Sequence, residues 1–251
     1  MPINHLRAIA LNCVTAALAP LLWLQGKRVR RRIPMLAEPS GERRGESFVG
    51  QPLRLLILGD SAAAGVGTTS QVNALSGQLF ARLSPHHALH WQLLAKTGHR
   101  ARDGLDALKR EPSLRCDVAL TSLGVNDVTA LASAKQFHVD MQAVITRLRE
   151  HAGARLILLS GLPPMGEFPA LPQPLRWRLG QQAHLLDQVL RRLAAAHADC
   201  RHLPFGPLPN VSLFASDGFH PGQQGYALWA ESAAQKISNW QQTMTLTSGA
   251  E

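Results

Sequence analysis

The chain has 251 residues, enough for one domain of generous size with a short extension. Apolar residues make up 45% of it and aromatics 5%, so a sizeable core can be buried, built mainly of Leu, Ala, Val and Ile. The formal net charge is +9, but the first 46 residues hold eight Lys or Arg against three Glu and so carry more than half of it; no basic stripe is interleaved with aromatics, and a nucleic-acid partner is not indicated. The three cysteines, Cys13, Cys116 and Cys200, are widely spaced and include no C-x-x-C pair, which points to neither a zinc site nor a disulfide framework. Cys116 and Cys200 stand at the starts of candidate strands and read as buried thiols.

Residues 8–24 (AIALNCVTAALAPLLWL) are free of charge and lie at the lower length limit for a membrane span. Lys27, Arg28, Arg30, Arg31 and Arg32 follow directly. The reverse order would mark a cleaved secretory signal, and the positive-inside rule places the body of the chain on the cytoplasmic side. The expectation is therefore a membrane-associated segment over 1–32, as a signal-anchor or by peripheral attachment to anionic lipid. A cleaved export signal and a helix packed on a soluble domain are the alternatives. Residues 33–51, with Pro34, Pro39, Gly41, Gly45 and Gly50 among charges, read as a linker. The domain proper is expected over 52–241, with a flexible tail over 242–251.

From residue 53 onward, short apolar runs alternate with helical patterns. The runs are 53–58, 90–94, 118–123, 155–159 and 201–203; they are not simple apolar–polar alternations, which suits parallel strands buried on both faces. Between them, Val72, Leu75, Leu79, Phe80 and Leu83 follow three-four spacing, and residues 102–110 carry a weaker helical pattern. Further stripes run from Phe137 to Leu148, from Leu185 to Leu193 and from Tyr226 to Trp240. Repeated strand–helix alternation predicts an α/β fold with an open parallel sheet covered on both faces. In such sheets the ligand site lies at the carboxyl ends of the strands.

Three stretches there carry chemistry. After the first strand comes Gly59-Asp60-Ser61, then a turn rich in Ala and Gly that can present a serine at the sheet edge. Neither a phosphate loop nor a complete G-x-G-x-x-G nor a G-x-S-x-G elbow is present, although Gly65-Val66-Gly67 supplies half of a dinucleotide fingerprint. After the third strand comes Gly124-Val125-Asn126-Asp127, where the Asn126 amide can donate to a developing oxyanion or merely close a turn. Before the last helix comes Asp217-Gly218-Phe219-His220, where the carboxylate can orient an imidazole that faces the serine. The other ten histidines show no such partner arrangement in the sequence. The proline-rich segment 161–180 follows the fourth strand on the same edge and is placed to shape specificity or to serve as a plain loop.

In this order the blocks resemble the SGNH hydrolase superfamily, the GDSL-type esterases and lipases, over roughly residues 53–240. The resemblance implies a flavodoxin-like three-layer α/β/α sandwich around a five-stranded parallel sheet, with no metal and no organic cofactor. It implies Ser61 as nucleophile, His220 as general base and Asp217 as its orienting acid. It also implies an oxyanion hole from the backbone N–H groups of Ser61 and Gly98 and the side chain of Asn126. The block around Gly98 departs from the family pattern, with Lys96 and Ala101 where Asn and Gly are usual. His99, Arg100 and Arg102 would make that rim basic and favour anionic substrates. The function expected is a serine esterase acting on a small-molecule or lipid ester, with lipase and lysophospholipase as the members considered. A carbohydrate acetylesterase or acyltransferase of the same fold, or a membrane-tethered binding module without catalysis, is the alternative.

Overall fold

The computed structural model describes the backbone of residues 2–32, 34–206 and 211–248, and within these all side chains except those of 2–13, 211 and 245–248. The elements in chain order are α1 (Pro2–Arg32), β1 (Arg44–Glu46), β2 (Gln51–Gly59), α2 (Leu75–Leu83), β3 (His87–Ala95), α3 (Ala101–Lys109), β4 (Val118–Ser122), α4 (Val125–Thr129), α5 (Ala134–Glu150), β5 (Leu156–Ser160), α6 (Leu175–Ala196), β6 (Cys200–Leu203) and α7 (Gln223–Ser248). They form one sheet in the order β1-β3-β2-β4-β5-β6. The five strands β2 to β6 are mutually parallel, as the apolar runs predict.

Most of β2 and all of β4 and β5 are buried on both faces because alternate side chains enter different cores. Leu53, Leu55 and Ile57 of β2 point to a layer with α2 and α7, where Leu79, Tyr226 and Ile237 are buried. Leu56 and Leu58 point to the opposite layer, packed by α3, α5 and α6 through Leu105, Phe137, Met141 and Leu186. Burying one such Leu or Phe side chain contributes about 1.5–3 kcal/mol. Cys116 and Cys200 are buried free thiols, and desolvation pushes both up to about 12. The Cys13 side chain lies outside the described residues.

Several expectations are corrected. The sheet has six strands rather than five, because β1, inside the segment read as a linker, adds antiparallel to β3. That segment is tied down further: Glu38 accepts from Thr97 N–H at 2.8 Å and from its hydroxyl at 2.7 Å, and Arg43 donates to Ala95 O. Val72 lies in a short 3-10 turn and is 72% exposed, outside the apolar stripe of α2. Leu185 is likewise exposed, and α6 begins ten residues earlier, inside the proline-rich segment. Residues 242–248, expected as tail, continue α7, while 249–251 lie outside the described residues.

The N-terminal segment is a helix that packs on the domain. Leu22 is buried in the core of α5 and α6, with Leu18 and Val29 against it. Among the described residues no helix is long and apolar enough to cross a membrane, and residues 8–13 of the apolar run expected as an anchor have side chains outside the described ones.

The strand order reverses at β2. The chain moves from β2 outward to β3, then returns past β2 to β4, β5 and β6. The crevice between the carboxyl ends of β2 and β4 is the topological switch point, where open α/β sheets bind ligands.

Candidate active site

Ser61 leaves β2 in a tight helical turn. Ala64 N–H donates to Asp60 O, and Val66 N–H to Ser61 O. Gly67 closes it with φ +107, and a Cβ there would stand 2.3 Å from Pro221 O. Only glycine accepts that backbone and that approach. Gly67 of the half-fingerprint Gly65-Val66-Gly67 is thus explained by the neighbouring histidine loop, which packs directly on the serine turn, while Gly65 faces Ala74 and Pro39. Tyr226 reinforces the junction by donating its hydroxyl to Val66 O at 2.6 Å.

The histidine loop is a small hairpin pinned by the Phe214–Pro221 bridge and by Ala215 N–H donating to His220 O. His220 Nε2 lies 2.9 Å from Ser61 Oγ, and His220 Nδ1 lies 2.6 Å from Asp217 Oδ2. Asp217 is buried, and its other oxygen accepts from Phe219 N–H at 2.9 Å and His220 N–H at 3.0 Å. Burial alone would raise this carboxyl. The bonds from the imidazole and the two N–H groups outweigh burial and hold it below the usual carboxylate range. Serine meets aspartate and histidine, 156 and 159 positions further along the chain, in one hydrogen-bonded line.

Asp60, next to the serine, is fully buried beneath the turn. It accepts from Ala62 N–H at 3.0 Å, and desolvation pushes its carboxyl up to about 6. Its place in the turn marks it as a support for Ser61.

Asn126 and Gly98 lie near each other, past the carboxyl ends of β4 and β3. Asn126, in the first turn of α4, donates through Nδ2 to His99 O at 2.9 Å, leaving its second N–H unused. Asp127 Oδ2 accepts from Ala101 N–H at 3.0 Å; burial pushes this carboxyl up to about 6. The Asn-Asp pair therefore staples the turn after β3 that carries Gly98. Gly98 has φ +87, which accounts for glycine there. Among the described residues, the backbone N–H groups of Ser61 and Gly98 donate to no partner. Gly124, which leads into α4, has φ +130 and faces Leu162 and Phe137 so closely that a Cβ would collide with both.

The expected basic rim is weaker than the sequence suggests. Burial, followed by the neighbouring Lys96 and Arg110, lowers His99 and favours its neutral form. Arg102 turns to Asp106 and Asp140, 3.8 Å from each.

A cavity of about 130 Å³ opens beside Ser61, lined by Ser61, His220, Leu162, Phe168, Phe214, Phe219, Leu228 and Trp229 among others. Phe168 meets Phe214 and Phe219 edge-on at 5.2 Å, making an aromatic wall. Trp229 donates its indole N–H to Ser160 Oγ at 3.3 Å. The proline-rich segment thus takes a lining role through Pro163 and Phe168. Val125 lines the cavity, whereas its neighbour Asn126 and Gly98 do not.

One arrangement has no local signal in the sequence. His202 Nε2 lies 2.9 Å from Asp187 Oδ1, which also accepts from Leu162 N–H at 3.0 Å, while Arg191 donates to Oδ2 at 2.7 Å. This second His–Asp pair corrects the reading that the other histidines lack such partners. It holds the cavity wall at Leu162. Asp187 is brought down to about 2: burial opposes ionisation, and the His202, Arg191 and Leu162 bonds overcome it.

A model of the GDSL-like lipase and acylhydrolase family matches residues 57–228. A search of curated proteins found no match. Among solved structures, the chain is similar to Est24, a carbohydrate acetylesterase from Sinorhizobium meliloti, with a TM-score of 0.60 and 18% identity over 75% of this chain and 99% of that one. It is also similar to a lipase/acylhydrolase from Enterococcus faecalis, with a TM-score of 0.57 and 19% identity over 74% and 96% of the two chains. The psychrotrophic esterase EstA from Pseudoalteromonas sp. gives a TM-score of 0.55 and 20% identity over 75% and 98%. At such identities these likenesses speak to the fold. The family model covers more than half of the chain, and the chain belongs to the GDSL-like lipase and acylhydrolase family, hydrolases of ester bonds.

Proposed function

We propose that this hydrolase is a serine esterase for apolar acyl esters, working through an acyl-enzyme on Ser61. The observation that carries the reading is the Asp217–His220–Ser61 line, at 2.6 and 2.9 Å, opening onto the aromatic-walled cavity. Ser61 Oγ attacks the ester carbonyl and passes its proton to His220 Nε2. Asp217, ionised and buried, keeps Nδ1–H pointed at itself and stabilises the imidazolium that forms. The carbonyl oxygen becomes an oxyanion facing the N–H groups of Ser61 and Gly98 and the spare N–H of Asn126. His220 then protonates the departing alcohol, and water, deprotonated by His220, releases the acid.

The acyl chain is assigned to the aromatic-walled cavity beside Ser61. Each buried methylene contributes about 0.8 kcal/mol, so chain length should show in kcat/KM. With aryl esters from acetyl through butanoyl to octanoyl, kcat/KM is expected to rise roughly tenfold or more before levelling. Fastest turnover on the acetyl ester, or on acetylated sugars, would overturn the acyl assignment and favour the acetylesterase reading.

Asn126→Ala should lower kcat by roughly a hundredfold or more with little change in KM, because charge develops on the oxygen only in the transition state. A raised KM at unchanged kcat would make Asn126 a ground-state contact instead.

A further inference from the structure

From Val14 onward, the described side chains of α1 divide between two faces. Thr15, Leu18, Leu22, Gln25 and Val29 repeat every three or four residues and face the domain. Leu22 is 8% exposed, Arg178 donates to Thr15 Oγ1 at 3.0 Å, and Gln25 brackets the start of α6, donating to Gln173 O at 2.7 Å and accepting from Leu175 N–H at 3.1 Å. The inward face is therefore fully engaged. The outward side carries Leu21, Trp23 and Leu24, the last two 63% and 59% exposed. Lys27, Arg28, Arg30, Arg31 and Arg32 follow one turn later, all exposed, and among the described residues none pairs with a carboxylate. Lys27 Nζ stands 3.7 Å from the centre of the Trp23 ring, joining the apolar part to the cationic part.

From this we infer that the outward face of α1 is a docking surface for an anionic bilayer, with Leu21, Trp23 and Leu24 entering the interfacial region and Lys27 to Arg32 meeting lipid phosphates. The chemistry selects the occupant. A nucleic acid or an acidic protein would use the cations but leave the exposed Trp and Leu in water, whereas a lipid interface accommodates both. Tryptophan favours that boundary, being apolar in body and polar at its N–H. In this arrangement the helix lies along the lipid surface while still attached to the domain. Its inward contacts with Gln173, Leu175 and Arg178 hold it to the start of α6.

The test is cosedimentation of the full chain with vesicles of phosphatidylcholine alone and of phosphatidylcholine with about one-third phosphatidylglycerol. It is run on the wild type and on Ser61→Ala, so that the outcome does not depend on the esterase reading. Partitioning onto the anionic vesicles should be roughly tenfold or more stronger, on about 1 kcal/mol per cation near the surface. Arg28→Glu with Arg31→Glu should abolish that preference, and Trp23→Ser with Leu24→Ser should weaken binding to anionic vesicles, each with thermal unfolding unchanged. Equal binding to both vesicles, no binding, unaltered binding by either double variant, or loss of vesicle binding to competing duplex DNA would overturn the inference.

Discussion

Ser61→Ala is expected to lower turnover of a good aryl ester by a factor on the order of 10⁵ or more while leaving the thermal unfolding profile in place. The loss follows from the chemistry: without Oγ no acyl-enzyme forms, and the residual rate rests on whatever water the oxyanion donors can assist. The intact fold follows from the structure. The Ser61 side chain makes a single hydrogen bond, to His220, and the turn around it is held by others. Asp60 accepts from Ala62 N–H below, Tyr226 holds Val66 O, and Gly67 abuts Pro221. A fluorophosphonate should label the wild type on Ser61 and leave the variant unlabelled. Retention of more than about a hundredth of wild-type turnover would sink the assignment of the nucleophile.

Legibility in the sequence followed how local each signal was. The strands β2, β4 and β5 are dense apolar runs whose two-sided burial needs no partner to be read, and each was placed within two residues of its ends. The pair Asp217 and His220 is three apart on one loop, so its contact is written in the spacing. The polar strand β1 is three residues long and exists because β3 offers it an edge; nothing in Arg-Gly-Glu announces a strand. Prolines concealed the first turns of α6, although Pro174 immediately precedes the helix, a position proline tolerates. The cavity draws on β5, the proline-rich segment, the histidine loop and α7, and its aromatic wall becomes a wall only when those meet. Asp187 and His202 sit on a helix and a strand that the fold alone makes adjacent.

The second large effect concerns how the imidazole is held. His220→Ala should cost about as much as Ser61→Ala, on the order of 10⁵ in turnover, because serine is a poor nucleophile without a base at 2.9 Å. Asp217→Asn should cost roughly 10⁴: an amide can turn its NH₂ toward Nδ1 and favour the wrong tautomer, with the proton on the nitrogen that should face Ser61. Mild acid is not expected to mimic that substitution through Asp217. Its carboxyl is held below the ordinary range, so the charge, and the stability that comes with it, is present above that range and is lost only as pH falls through the lowered value. The double variant Ser61→Ala with His220→Ala is the decisive measurement. If the two act as one unit, removing the second after the first has nothing left to break, and the double variant should turn over within a few-fold of either single one. Losses that multiply would mean that His220 contributes independently of Ser61, and the hydrogen bond between them would then be a structural contact rather than a path for the proton.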